Sequence, residues 1–214
     1  MTVPITGIAS GGEGVGREGG FVLFVPGAAP GDLVRARVTD VRRNYGRAVL
    51  EEVVSPSTDR EEARCPVYPR CGGCQLQHVS YRAQLGLKRR LVRDALERLG
   101  GFSTVAVEEA SAGGGADACA VAAPGGTRAR AGTRAPSAPG EPPVVLEETL
   151  GASGPWHYRN KAQFPVAAAP GGLATGCYAF GTHDVVPVED CLIQHPTNNA
   201  ILRAVRELCR LQQI

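Results

Sequence analysis

Short runs of alternating apolar and polar side chains, broken by glycine and proline, occupy residues 3–9, 21–25, 32–41 and 47–54. Period-two alternation bounded by turn residues predicts strands, so this region reads as all-β. With residues 11–20 as a glycine-rich connection and 26–31 as a turn, about five strands would close into a small OB-like barrel, an architecture that binds oligonucleotides. The period then changes. Ser80 is placed to cap a helix over residues 81–99, with Leu85, Val92, Ala95, Leu96 and Leu99 at helical spacing and Gly100 and Gly101 as its stop. Lys88, Arg89, Arg90, Arg93 and Arg98 form a basic face, which suits either a phosphate backbone or plain solvation.

From 109 to 143 the pattern dissolves into Gly, Ala, Pro, Ser and Thr, too little apolar area to offset chain entropy. Disorder is expected there, with Cys119 a bystander. Order resumes at Val144. Over 157–166, Tyr158, Ala162, Phe164 and Val166 alternate with Arg159, Lys161 and Gln163, predicting a half-buried strand with a basic outer face. Gly171 and Gly172 make a hairpin turn, residues 173–180 and 185–188 are further strands, and Pro196 opens a last helix with Ile201, Val205 and Leu208 inward. That helix runs to Ile214 without a cap and is read as a truncation. The fold class is therefore mainly β with α. A barrel occupies 1–58, a cysteine segment with a helix 59–107, a disordered insertion 108–143 and a small α+β domain 144–214.

Composition narrows the setting. Hydrophobic residues are 43% and charged residues 21% of the 214, as in a soluble globular chain, and the 28 Gly and 16 Pro match the many turns. No apolar run spans a membrane and the first ten residues lack the features of a signal peptide, so a cytoplasmic protein without membrane attachment is expected. The net charge of +2 is too small to argue for nucleic acid, but residues 59–107 hold nine basic against five acidic side chains.

Seven cysteines without a secretion signal point to a metal or cluster rather than disulfides. Cys65, Cys71 and Cys74 form C-x5-C-G-G-C, where Gly72 and Gly73 free the backbone to turn and to aim amides at sulfur. Three soft ligands favour zinc or an iron–sulfur cluster. His78 would complete a Cys3His zinc site within fourteen residues, and Cys191 is a distant alternative; spacing does not choose between them. Gly14, Gly16 and Gly19 formally satisfy G-x-G-x-x-G, but a strand rather than a helix follows, so they read as a barrel connection. Cys177 and Cys209 read as small buried thiols, and no catalytic constellation is visible.

These residues resemble a known family. Phe24-Val25-Pro26-Gly27, residues 31–37 and Asn44-Tyr45-Gly46-Arg47-Ala48 look like a TRAM domain, a small RNA-binding barrel. Cys65-Pro66, Cys71-Gly72-Gly73-Cys74-Gln75-Leu76-Gln77-His78, Tyr158-Arg159-Asn160-Lys161 and Asp190-Cys191-Leu192-Ile193-Gln194 resemble bacterial RNA 5-methyluridine methyltransferases, above all those acting on 23S ribosomal RNA. The resemblance implies a [4Fe–4S] cluster held by Cys65, Cys71, Cys74 and Cys191, leaving His78 outside the ligand set. It also implies 23S rRNA as partner, a monomer, and S-adenosylmethionine bound by a later domain absent here, so that this stretch alone would bind RNA without methylating it. Arg35, Arg37, Arg42, Arg43 and Arg47 would contact phosphates, Tyr45 would stack on a base or pack in the barrel, and Arg159 and Lys161 would add contacts. A radical S-adenosylmethionine enzyme is disfavoured, since its triad runs C-x3-C-x2-C.

Overall fold

The computed structural model describes residues 1–106, 143–169 and 172–212. Most of the expected insertion (108–142, with Cys119), Gly171 of the expected hairpin turn and Ile214 lie outside the described residues. The chain forms two units, Met1–Glu61 with His78–Leu150, and Glu62–Gln77 with Gly151–Ile214. This division interleaves where the sequence suggested consecutive segments: the cysteine loop belongs to one unit and the helix after it to the other.

In the first unit, β1 (Thr2–Ile8), β2 (Gly14–Glu18), β3 (Phe21–Val25), β4 (Leu33–Val41) and β5 (Tyr45–Ser55) close a barrel in the order β1-β2-β3-β5-β4. Val3, Ile5, Leu23, Val25, Val34, Ala36 and Ala48 fill it. The glycine-rich stretch expected to be a connection contains a whole strand, β2. Its glycines answer to close packing: a Cβ on Gly14 would fall 2.6 Å from the Ala28 carbonyl oxygen, and one on Gly16 would fall 2.7 Å from Val3 Cγ2. Gly19, at φ 55°, makes the following turn. Phosphate binding is not what these glycines serve.

Below the barrel, the fully buried Asp32 carboxylate accepts from the amides of Ala29 (2.7 Å) and Ser57 (2.8 Å) and from Arg60 Nη2 (2.6 Å), which also reaches the Gly27 carbonyl at 2.8 Å. Every lone pair of the acid is occupied, so the charge is tolerated out of water.

Helix α1 (Tyr81–Arg98) starts as expected, with Ser80 Oγ accepting from the Ala83 amide at 3.4 Å. Its inward face differs: Leu87 is the buried residue, while Val92, Ala95 and Leu99 of the expected stripe are exposed. Arg89 also leaves the basic face, donating to the Leu146 carbonyl at 2.7 Å. Leu146 ends β7 (Val144–Leu146), which pairs in parallel with β6 (Thr104–Ala106).

The second unit is an antiparallel sheet of β8 (Val166–Ala169), β9 (Gly172–Tyr178) and β10 (Val185–Pro187), in the order β10-β9-β8, with helix α2 (Pro196–Leu211). The strand expected over 157–166 begins only at Val166. His157 sits at φ 57°, and the segment binds residues 192–195 through isolated bonds, His157 N to Leu192 O (2.9 Å) and Arg159 N to Ile193 O (2.9 Å). Tyr158 is consequently exposed. Helix α2 also turns differently from expectation: Asn199 and Leu202 are buried, while Ile201, Val205 and Leu208 are exposed. Arg206 explains the rotation, donating inward to the Thr175 carbonyl at 2.6 Å and to the Val188 carbonyl.

Candidate functional site

Five thiols of the second unit border one cavity: Cys65, Cys71 and Cys74 from the 62–77 segment, Cys177 from β9 and Cys191 from the loop before α2. Backbone bonds seat the cysteine loop on β9. The Gly72 amide donates to the Tyr178 carbonyl at 2.9 Å and the Phe180 amide to the Arg70 carbonyl at 3.3 Å, with Cys71 bridged to Ala179. Residue 72 is glycine because a Cβ there would sit 3.0 Å from the Tyr178 oxygen and 3.2 Å from Phe180 Cα. The loop is also knitted internally: Gln77 Oε1 accepts from the Cys65 amide at 3.2 Å, and Gln75 Nε2 donates to the Gly72 carbonyl at 2.7 Å. The Arg64 guanidinium lies 5.6 Å from the centre of the Trp156 ring, tying the segment to the rest of its unit.

Cys191 is held from α2. The buried Asn199 accepts from the Cys191 amide at 3.0 Å and donates to its carbonyl at 3.1 Å. The amides of Ile193 and Gln194 hydrogen bond the Cys191 sulfur, and the Gly73 amide donates to Cys71 Sγ at 3.4 Å. Amides aimed at sulfur favour thiolates and are a recurring feature of cluster sites. The thiols perturb one another. A hydrogen bond from Cys177 brings Cys71 down to about 6, and the same bond, with burial, pushes Cys177 up. Burial raises Cys74 and Cys191, and the neighbouring cysteine charges add to it. Several thiolates in one half-buried place repel unless a cationic centre offsets them. Among the described residues no group of three or more His, Cys, Asp or Glu is gathered tightly enough for a single metal ion. The thiols stand around a cavity, and all donors are sulfur, the set that an iron–sulfur cluster takes.

The structure places Cys191, and not His78, at this cavity. His78 belongs to the first unit, buried, with its ring bonded to the Ala28 backbone and kept neutral by burial and by Arg60. Cys177, which the sequence suggested was an ordinary buried thiol, lines the cavity instead; its place in a strand carries no spacing signal that would reveal it.

Four of the five barrel arginines expected to contact RNA are engaged with acids. Arg35 pairs with Glu52, Arg37 with Glu51 (3.1 Å), Arg42 with Asp40 (2.8 Å) and Arg47 with Glu13 (2.5 Å). Arg43 is exposed and has no ion pair among the described residues. Tyr45 packs its ring edge-on against Phe24, centroids 5.5 Å apart, as barrel packing. In the second unit Arg159 and Lys161 are exposed, as are the aromatic rings of Tyr158, Tyr178 and Phe180. No helix among the described residues is long and apolar enough to cross a membrane.

Comparison with known proteins adds three findings. The TRAM domain family matches residues 1–50. A protein of Halalkalibacterium halodurans named an uncharacterized RNA methyltransferase is 36% identical over 210 residues, 98% of this chain and 37% of its own length. One of Gloeobacter violaceus with the same kind of name is 37% identical over 214 residues, 99% of this chain and 38% of its own. The chain thus spans little more than a third of the length of these relatives. Among solved structures, the Pyrococcus abyssi tRNA (uracil-54, C5)-methyltransferase in complex with S-adenosyl-L-homocysteine is similar over 100% of this chain and 38% of its own, with a TM-score of 0.52 and 18% identity, a likeness of fold.

Proposed function

We propose, for a chain that opens with a TRAM domain and is related along nearly its whole length to RNA methyltransferases, that it is the RNA-recognition and iron–sulfur portion of an S-adenosylmethionine-dependent enzyme making 5-methyluridine in 23S rRNA. The observation that carries this is the union, in one chain, of a TRAM barrel with a cavity of cysteine thiols. Cys65, Cys71, Cys74 and Cys191 would hold a [4Fe–4S] cluster, and the cluster's positive iron would offset the mutual repulsion of their thiolates. In such an enzyme S-adenosylmethionine would supply the methyl group.

The chain's own residues bind and orient RNA. Arg35, Arg37, Arg42, Arg43 and Arg47 present cations on β4, β5 and the turn between them. Tyr45, given its packing on Phe24, serves mainly to hold that surface. Arg159 and Lys161 add charge to the second unit, which also exposes the rings of Tyr158, Tyr178 and Phe180, suited to stacking on unpaired bases. Iron and acid-labile sulfide analysis after anaerobic purification tests the cluster: about four of each per chain supports it, as cubane composition requires. Stoichiometric zinc without sulfide would replace it with a zinc-bearing RNA-binding module.

A further inference from the structure

Helix α1 carries six basic side chains against two acidic ones. Arg89 is occupied by the Leu146 carbonyl, Asp94 turns a carboxylate oxygen into the fold, and Glu97 accepts from the Thr104 hydroxyl. Arg82, Lys88, Arg90, Arg93 and Arg98 make no ion pair among the described residues. Four of the barrel arginines, by contrast, are neutralised by acids. Three of the free cations of α1 share a stripe. Arg82, Gly86, Arg90 and Arg93 stand at i, i+4, i+8 and i+11, which the helical repeat brings onto one side over about 16 Å. Arg82 and Arg90 are exposed and Arg93 is half-buried.

The glycine within this stripe has no reason inside the fold. It sits in the body of α1, where glycine loses more conformational freedom than any other residue, yet a Cβ added to it would meet nothing within 4 Å among the described residues. A helix that forgoes a side chain where there is room for one suits a ligand that approaches its backbone closely. Resting on the RNA-binding reading above, we propose that Arg82, Gly86, Arg90 and Arg93 form a second phosphate-binding surface: the sugar–phosphate backbone of RNA lies against the bare helix at Gly86, with the arginines on the phosphates to either side. The guanidinium fork matches phosphate oxygens, and cations without an acid partner neutralise phosphates with no ion pair to break first. The TRAM domain and the RNA methyltransferase relatives make RNA the polyanion that this charge fits.

The test measures binding of the full chain to a 23S rRNA fragment by fluorescence anisotropy across a salt series, with a thermal melt of each protein. Wild type is compared with the double variant Arg82→Gln/Arg90→Gln, with Gly86→Leu, and with Arg43→Ala as the barrel control. The double variant is expected to keep its melting temperature and to lose about 0.7 of log–log salt slope per phosphate contact, about 5-fold in affinity for each at 0.1 M salt. Gly86→Leu should melt higher, leucine being the better helix former, while binding RNA about 5-fold more weakly, the worth of one such contact. A glycine kept for folding would instead melt lower on substitution, and that result would overturn its place in the site. A wild-type salt slope in the double variant, or full affinity in Gly86→Leu, would overturn the inference and leave RNA binding by the barrel to stand on Arg43→Ala. Wild-type protein that fails to bind the fragment, or binds it without regard to salt, would overturn the RNA-binding reading and this inference together.

Discussion

Arg60 Nη2 lies 2.6 Å from Oδ2 of Asp32, closing a pair in which the acid is fully buried and the base is mostly so. The pair joins the chain just after β5 to the turn before β4, and Arg60 further holds the Gly27 carbonyl. Removing the arginine leaves an uncompensated buried carboxylate. Arg60→Ala is expected to cost about 3–5 kcal/mol, read as a lower urea midpoint by far-ultraviolet circular dichroism. A cost under about 1 kcal/mol, the range of an exposed pair, would contradict this reading.

Two groups of the first unit make its stability depend on pH in the same direction. Burial raises Asp32, but Arg60 and the amides of Ser57 and Ala29 outweigh it and hold the carboxyl below its ordinary value of 3.8. The unfolded chain therefore takes up this proton first, so the stabilisation present above pH 3.8 is lost as pH falls through the lower folded value. His78 is lowered from 6.5, by burial first and then by Arg60. Here too the unfolded state binds the proton first, and stability falls as pH drops below 6.5. Thermal melts between pH 8 and 5 should show a decline that His78→Gln removes, with the Asp32 decline appearing only at lower pH.

The acids of the barrel hold back its arginines. Each exposed pair is worth about 0.2–1 kcal/mol, so Glu51→Gln and Glu52→Gln should each strengthen RNA binding by about 1.5- to 5-fold by freeing Arg37 and Arg35. Filter binding or fluorescence anisotropy at low salt reads this. Weaker binding would mean that the acids orient the arginines for RNA instead of competing with it.

At the cysteine loop, a Cβ in Gly72→Ala would sit 3.0 Å from the Tyr178 oxygen and 3.2 Å from the Phe180 backbone, so the loop must shift off β9 by a few tenths of an ångström. It should lower iron content after reconstitution. Cys191→Ser should abolish the broad visible absorption, while Cys209→Ser, on α2 and not among the cavity residues, should leave it unchanged.

Four barrel strands were legible because their apolar positions alternate and turns bound them. The fifth, β2, was hidden because Gly14 and Gly16 contribute no side chain to a pattern, although their closeness to Ala28 and Val3 is what closes the barrel. Helix positions were legible from Ser80 and Pro196, but their inward faces were not: Arg206 and Asn199 take the inner side of α2 through hydrogen bonds, a choice hydrophobic spacing does not encode. At the cavity, Cys191 was legible only through family resemblance. Cys177 was not legible at all, because strand pairing brings it to a loop about a hundred residues away, and pairing across such a separation leaves no local trace.

The central claim is that this chain recognises RNA through charged surface on its barrel, and salt dependence tests it most directly. The measurement is the affinity of the cluster-loaded protein for a single-stranded 23S rRNA fragment, with a tRNA transcript as competitor, as salt is raised. The account predicts a linear fall of log affinity with log salt, a slope reduced by about 0.7 in Arg43→Ala for each lost phosphate contact, and preference for the 23S fragment. Affinity indifferent to salt and to the identity of the RNA would contradict it.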